Sequence, residues 1–234
     1  MMGKFPIFDR VKKEGRSTLT EFESKRILKQ AGIPVVETRL AKTPKEAVSL
    51  SQKMGFPVAL KITSPDVIHK SDSGGVKLSL NNATQVKKAY DEILKKVRKQ
   101  YPDAVVHGVT VQKMIRPGTE VIVGTTQDPQ FGPVIMFGLG GIFVEVLKDV
   151  SFRIVPINQR DAQEMIQETK GYPLLQGYRG KEPANIPVLV EMILKVSKFV
   201  EENPQIKELE LNPIFAYSDG AVAVDARIIL EEDA

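Results

Sequence analysis

Val58-Ala-Leu-Lys-Ile-Thr-Ser-Pro-Asp-Val-Ile-His-Lys-Ser-Asp-Ser-Gly-Gly-Val76 decides how this chain is read. Val58 to Ile62 is a short apolar run with one lysine, Lys61, near its end, and predicts a buried strand. A polar segment follows with Pro65, one of only two histidines in the chain (His69), Lys70, Ser71, Asp72 and the pair Gly74-Gly75. Alternation of Val76, Leu78 and Leu80 predicts a second strand. Glycines let backbone N–H groups approach an anion, and Lys61 and Lys70 put positive charge on either side. The stretch therefore reads as a phosphate-handling hairpin with a nucleophile, His69, in its loop. An ordinary hairpin with a solvated turn is the competing interpretation, because Gly-Gly pairs are common in turns.

Outward from that hairpin the pattern mixes helices and strands. Thr20 and Glu23 form a capping box ahead of Phe22, Ile27, Leu28 and Ala31, a helix stopped by Gly32. Ile33 to Ala41 predicts a strand. Thr43-Pro44 with Glu46 opens a helix that Gly55 closes, and residues 83–99 are amphipathic, with Val86, Tyr90, Ile93, Leu94 and Val97 on one face. Strands are expected near 105–115, 119–125 and 133–137, apolar segments around 142–147 and 152–156, and helices over 159–169 and from Pro187 to Asn203-Pro204. A Ser-Asp-Gly turn joins Ile206–Tyr217 to Ala221–Ile229 as a hairpin. Strands and helices do not strictly alternate, so the expected class is α+β with two lobes. The expected division is an N-terminal arm over 1–19, an N-terminal subdomain over 20–116 with a phosphate loop at 63–75, and a C-terminal subdomain over 117–234 with a metal hairpin at 206–229.

Composition narrows the chemistry. The 234 residues are 42% hydrophobic and 26% charged, ordinary for a globular protein that buries a core. The net charge of +4 is dispersed, and with no Trp and five Tyr no nucleic-acid partner is expected. There is no cysteine, which excludes thiolate metal sites and cysteine nucleophiles. A metal must then use oxygen or histidine ligands, which favours magnesium or manganese. Met1 to Arg10 lacks the apolar core of a signal peptide, and the longest uncharged stretch is interrupted by Pro129, Gly132 and Pro133. No membrane partner is expected, and the cytoplasm is the expected location.

Glu208, Glu210 and Asn212 sit at i, i+2 and i+4, so a strand puts them on one face. With Asp219-Gly220 as a two-residue turn, Ile214 pairs with Asp225, and Asn212 and Asp225 become diagonal neighbours. An amide oxygen beside carboxylates suits a magnesium–nucleotide site. A polar hairpin face in water is the bland alternative. Against it, Asp225 ends the otherwise apolar run Ala221 to Val224 and needs a partner there. Gln112-Lys113-Met114-Ile115 reads as an apolar edge able to offer backbone groups to an adenine, with Glu120 placed for ribose hydroxyls. Gly138, Gly140 and Gly141 read as a tight turn facing a phosphate. Arg153 is a candidate phosphate ligand or a surface ion pair, and His107 is structural.

A strand lysine before a glycine hairpin, an adenine-edge strand ending in Glu, and Glu-x-Asn followed by Asp together resemble the ATP-grasp superfamily. Within it, Leu-Thr-Glu-Phe-Glu-Ser-Lys, Ile-His-Lys-Ser-Asp-Ser-Gly-Gly-Val, Phe-Gly-Leu-Gly-Gly-Ile-Phe-Val-Glu and Glu-Leu-Asn-Pro are similar to the β subunit of ADP-forming acetyl-CoA synthetase. The resemblance covers about residues 18 to 230 and implies an ATP-grasp fold of two α+β lobes with nucleotide bound between them. It implies that Lys61 contacts nucleotide phosphates and that Lys70 and Ser71 belong to the phosphate loop. Gln112, Lys113, Met114 and Glu120 would line the adenine and ribose pocket. Asn212 and Asp225, with Glu210 beside them, would hold Mg²⁺. His69 is implied to relay phosphate between a phosphohistidine on a CoA-binding α subunit and ADP or ATP. The chain is thus expected to be an acid–thiol ligase subunit in a hetero-oligomer. A succinyl-type synthetase subunit and a non-catalytic nucleotide-sensing module are the alternatives.

Overall fold

The structure, a computed structural model, describes residues 5–67, 70–141, 144, 146–180 and 182–231. In chain order the helices are α1 (Pro6–Lys13), α2 (Glu21–Gln30), α3 (Pro44–Met54), α4 (Ala83–Gln100), α5 (Gln159–Gln167), α6 (Tyr172–Leu175) and α7 (Ile186–Glu201). The strands are β1 (Thr38–Ala41), β2 (Val58–Thr63), β3 (Val76–Leu80), β4 (Gly108–Lys113), β5 (Thr119–Asp128), β6 (Gly132–Leu139), β7 (Val150–Ile154), β8 (Ile206–Tyr217), β9 (Gly220–Ala223) and β10 (Ala226–Leu230). They fall into two compact units.

The smaller unit comprises Thr20–Glu23 and Val36–Arg116. Its antiparallel sheet runs β1-β4-β2-β3. Val58, Leu60 and Ile62 of β2, with Val109 and Val111 of β4, pack against Val86, Tyr90, Ile93 and Val97 of α4 and Ala47 of α3 in one core cluster. Each Val, Leu or Ile among them, taken from water, contributes roughly 1.5–3 kcal/mol. The cap predicted for α3 forms, and α4 carries one the sequence reading did not name. Thr43 Oγ1 accepts the Glu46 N–H (3.1 Å) and Gly55 closes α3 at φ +77°. Asn82 caps α4 by accepting the Gln85 N–H (2.9 Å).

The larger unit comprises the residues up to Leu19, Ser24–Val35 and Pro117 onward. Its sheet runs β10-β8-β5-β6-β7, with β9 also on β8, and every pairing is antiparallel. One face packs on α7, whose Leu189, Ile193, Val196 and Val200 are buried with Val121, Phe137, Leu209 and Leu211 in the second core cluster. The expected N-terminal arm is corrected here. Residues 6–13 form α1, and Phe5, Phe8 and Val11 are buried in the same cluster, Phe5 meeting Phe199 edge-on at 5.7 Å between ring centres. Basic residues hid this because they occupy the solvent side, while three apolar positions three residues apart make the buried stripe.

Two further expectations change. The strand predicted over Ile33–Ala41 shrinks to β1, preceded by a single bridge from Val35 to Ala223. In the C-terminal hairpin the two-residue turn is Ser218-Asp219, not Asp219-Gly220, so Tyr217 pairs with Gly220 and Ile214 with Ala223. Asp225 is therefore not opposite Ile214. The partner moves by two residues, which keeps every side chain on its predicted face. The second strand breaks between Ala223 and Ala226 because Pro213, opposite Val224, has no N–H to give. At that pair the Val224 N–H still donates to the Pro213 carbonyl (2.8 Å).

Candidate functional site

Lys61 sits on the face of β2 turned away from its core cluster, in register with Thr110 of β4, and Ala59 of the same face pairs with Gln112. Thr110 Oγ1 donates to the Lys61 carbonyl (3.2 Å), and Thr110, Gln112 and Lys61 are all buried. The strand prediction thus placed Lys61 correctly, and the ammonium requires a counter-ion. That counter-ion is Glu21, at the first turn of α2: Lys61 Nζ donates to its Oε1 at 2.8 Å. Lys70 Nζ donates to Oε2 of the same carboxylate, also at 2.8 Å. The two predicted phosphate-handling lysines are therefore joined by a residue the sequence reading did not single out. A buried strand lysine was the one signal that a carboxylate had to be found for it.

The turn from Lys70 to Gly75 closes on itself. The Lys70 carbonyl accepts the Gly75 N–H (2.7 Å) and the Ser73 hydroxyl (2.9 Å), and the Ser71 carbonyl accepts the Gly74 N–H (3.0 Å). Gly74 has φ +67°, and a Cβ at Gly75 would lie 2.5 Å from Ile62 Cγ2, so both positions demand glycine. The Ser71 side chain is exposed. His69 lies outside the described residues.

The segment expected to act as an adenine edge is no sheet edge. β4 is paired on both sides, by β1 and β2, so its backbone groups are committed from Gly108 to Lys113. The Lys113 N–H donates to the Glu37 carbonyl (3.3 Å) and the Met114 N–H to the Pro57 carbonyl (3.2 Å). The Lys113 ammonium caps the C-terminus of α3, donating to the carbonyls of Met54 (2.8 Å) and Gly55 (3.1 Å).

In the larger unit, Glu120 of β5 meets the glycine turn. The Gly140 N–H donates to the Glu120 carbonyl (2.8 Å), and a Cβ on Gly140 would stand 2.9 Å from Glu120 Cβ. Gly141 follows at φ +60°. Glu120 itself is exposed. Arg153 takes the ion-pair alternative, donating to both carboxylate oxygens of Glu168. These hydrogen bonds hold the Glu168 carboxyl below the ordinary carboxylate range and raise the Arg153 guanidinium.

Glu208, Glu210 and Asn212 share the face of β8 opposite to buried Leu209 and Leu211, as predicted. Asn212 Nδ2 donates to Glu210 Oε1 (3.1 Å), and Arg227 approaches Glu210 Oε2 at 3.1 Å. The Asn212 N–H donates to the Asp225 carbonyl (3.3 Å), and Asp225 Oδ1 accepts the Ala226 N–H (2.7 Å). Among the described residues no three His, Cys, Asp or Glu side chains group as a metal cage. The donor set of Asn212 and Asp225 fits an ion that takes most of its oxygens from elsewhere, as magnesium does from phosphates and water. Glu210 is already engaged by Asn212 and Arg227 and stands beside the pair.

Residues 10–230 match the ATP-grasp domain family. The chain belongs to the ATP-grasp family. The β subunit of acetate–CoA ligase [ADP-forming] II from Pyrococcus furiosus is 52% identical over 228 residues, covering 96% of this chain and 97% of that one. This ATP-grasp chain also superposes on acetyl-coenzyme A synthetase 1 of Ca. Korarchaeum cryptofilum, solved with coenzyme A and Ca-AMPCP, at a TM-score of 0.94 and 48% identity, over 97% of this chain and 99% of the other. A second structure of that synthetase holds coenzyme A and Mg-AMPPCP, with its phosphohistidine segment pointing towards the nucleotide binding site. It matches at a TM-score of 0.86 and 45% identity, over 97% and 99% of the two chains. The ATP-grasp chain is thus a homologue of β subunits of ADP-forming acetate–CoA ligases. Among its described residues no helix is long and apolar enough to cross a membrane.

Proposed function

We propose that this chain is the nucleotide-binding β subunit of an ADP-forming acyl-CoA synthetase, working with a CoA-binding α subunit and relaying phosphate through His69. The observation that carries the proposal is the nearly end-to-end match to a chain named as such a subunit, at 52% identity over 97% of that chain's length. The joined lysine pair on β2 and the Lys70–Gly75 turn supports it, because phosphoryl transfer is governed by positioned positive charge.

In the nucleotide half-reaction the bond between the γ-phosphorus of ATP and its bridging oxygen breaks as a P–N bond forms to a neutral ring nitrogen of His69. ADP leaves, and the reverse step makes ATP. A neutral imidazole is nucleophilic near pH 7, which suits it to accept and return the group. Lys61 and Lys70 offset charge on the phosphoryl oxygens. Mg²⁺ held by Asn212 and Asp225, with Glu210 beside them, would neutralise further phosphate charge. Glu120 and the Gly140-Gly141 turn serve the nucleotide, Glu120 through ribose hydroxyls, while Gln112 and Met114 line its base.

Reconstitution tests the proposal. The purified chain should bind Mg-ADP yet form no acetyl-CoA from acetate, CoA and ATP until a CoA-binding α subunit is added. Robust synthesis by the chain alone would remove the subunit assignment.

A further inference from the structure

One carboxylate holds both lysines. Glu21 Oε1 accepts from Lys61 and Oε2 from Lys70, each at 2.8 Å, with side-chain exposures of only 5% for Glu21, 9% for Lys61 and 19% for Lys70. Glu21 is not needed to start its own helix. The cap of α2 is made by its neighbours: the Thr20 N–H and hydroxyl both donate to Glu23 Oε2 (2.9 Å each), and the Glu23 N–H donates to Thr20 Oγ1 (3.3 Å). A charge of this depth is retained at a cost unless it is fully paired. Two ammonium groups thus share one carboxylate in a largely buried place.

We propose that Glu21 is a positioning residue for phosphate transfer: it holds Lys61 and Lys70 to one point so that both ammonium groups meet the same phosphoryl group, and it docks the Lys70–Gly75 turn on β2. The inference rests on the function proposed above. Without the carboxylate, two like charges in a poorly hydrated place repel, and Lys70 swings toward water. The Ile62 N–H to Gly75 carbonyl bond at 2.7 Å ties the turn to β2 directly, and the Lys70–Glu21 pair ties it to the first turn of α2, whose Glu21 also holds Lys61 of β2. Lys70 directly follows His69 in the sequence. An arriving phosphoryl group competes with Glu21 for the same ammonium protons, so the carboxylate prepares the pair and then yields it. Preorganised charge of this kind acts on the transfer step more than on ground-state binding.

The test uses the full chain as wild type, Glu21→Gln, Lys70→Met and the double variant. Acid-labile phosphate is followed from γ-labelled Mg-ATP, Mg-ADP affinity by calorimetry, and amide hydrogen exchange at Gly74 and Gly75. Glu21→Gln is expected to slow phosphate uptake at saturating nucleotide about tenfold or more, with Mg-ADP affinity changed less than about threefold. Exchange at Gly74 and Gly75 should accelerate, and the double variant should be no slower than the slower single one, because the two residues act as a unit. Wild-type uptake in Glu21→Gln, or losses that simply multiply in the double variant, would overturn the proposal. If Glu21→Gln fails to fold, Lys70→Met keeps the Lys61–Glu21 pair and must by itself accelerate exchange at the turn. Unchanged exchange in Lys70→Met overturns the docking role. If wild type takes up no phosphate, the relay through His69 falls, and the exchange data alone decide whether Glu21 holds the turn.

Discussion

Asn212 and Asp225 stand opposite one another where the ladder between β8 and the following strands is interrupted, the Asn212 N–H donating to the Asp225 carbonyl at 3.3 Å. The interruption is local, because Ile214–Ala223 on one side and Leu211–Ala226 on the other keep the same register. The amide and the carboxylate are thereby held by regular strand on both flanks at a place where the strand itself is relaxed.

Asp225→Asn and Asn212→Ala should each weaken Mg-nucleotide binding by about tenfold or more, since even outer-shell changes at metal sites cost that much. The fold should persist, because neither side chain contributes to the core clusters. Calorimetry with Mg-ADP decides it, and unchanged affinity in both variants would place the ion elsewhere.

Gly140→Ala forces a methyl to 2.9 Å from Glu120 Cβ. Overpacking of this kind costs about 1–3 kcal/mol. The expected result is a lower unfolding midpoint together with weaker nucleotide binding, because Glu120 is the residue displaced. A variant as stable as wild type would show that the turn relaxes freely.

Lys113→Met removes the ammonium that caps α3 through Met54 and Gly55. Stability should fall by up to about 1 kcal/mol, read from urea unfolding, with nucleotide affinity nearly unchanged. A large loss of affinity with no loss of stability would reassign Lys113 to the nucleotide.

His69→Ala should abolish acid-labile phosphate on the chain while sparing Mg-ADP binding, because the metal and ribose contacts are assigned to other residues. Labelling with γ-labelled ATP followed by mapping at neutral pH separates the two functions. Normal turnover of the reconstituted enzyme with this variant sinks the relay.

Arg153 hydrogen-bonds Glu168 and lowers its carboxyl pKa, so the pair's stabilisation is full above the unfolded carboxylate value. It is lost as pH falls through the depressed folded value. Arg153→Met should therefore be slightly less stable than wild type at neutral pH, by no more than about 1 kcal/mol for an exposed pair, and the difference should vanish in acid. A difference that grows as pH falls would contradict the sign.

Much of the site was legible along the chain. Lys61 in an apolar strand, the Gly74-Gly75 turn and the i, i+2, i+4 face of Glu208, Glu210 and Asn212 all follow from short-range rules, because strand alternation and glycine geometry act over a few residues. The register of the C-terminal hairpin was less so. Turn chemistry points to Gly220 as a turn residue, yet it is the first residue of β9, paired with Tyr217, and the turn is Ser218-Asp219. A register moved by two left the facing of Asn212 and Asp225 intact and changed only who stands opposite whom.

The sequence by itself determined the α+β class, the caps of α2 and α3, and which residues are candidates for phosphate and metal, since each depends on local pattern and donor chemistry. Tertiary structure alone decided that Phe5, Phe8 and Val11 belong to a core, that β4 is central, and that Lys113 caps a helix. It alone decided that Glu21 serves both Lys61 and Lys70, 40 and 49 residues away. The physical reason is the same in each case. A buried charge or an apolar face must be satisfied by some partner, but only the packed chain selects which distant residue arrives.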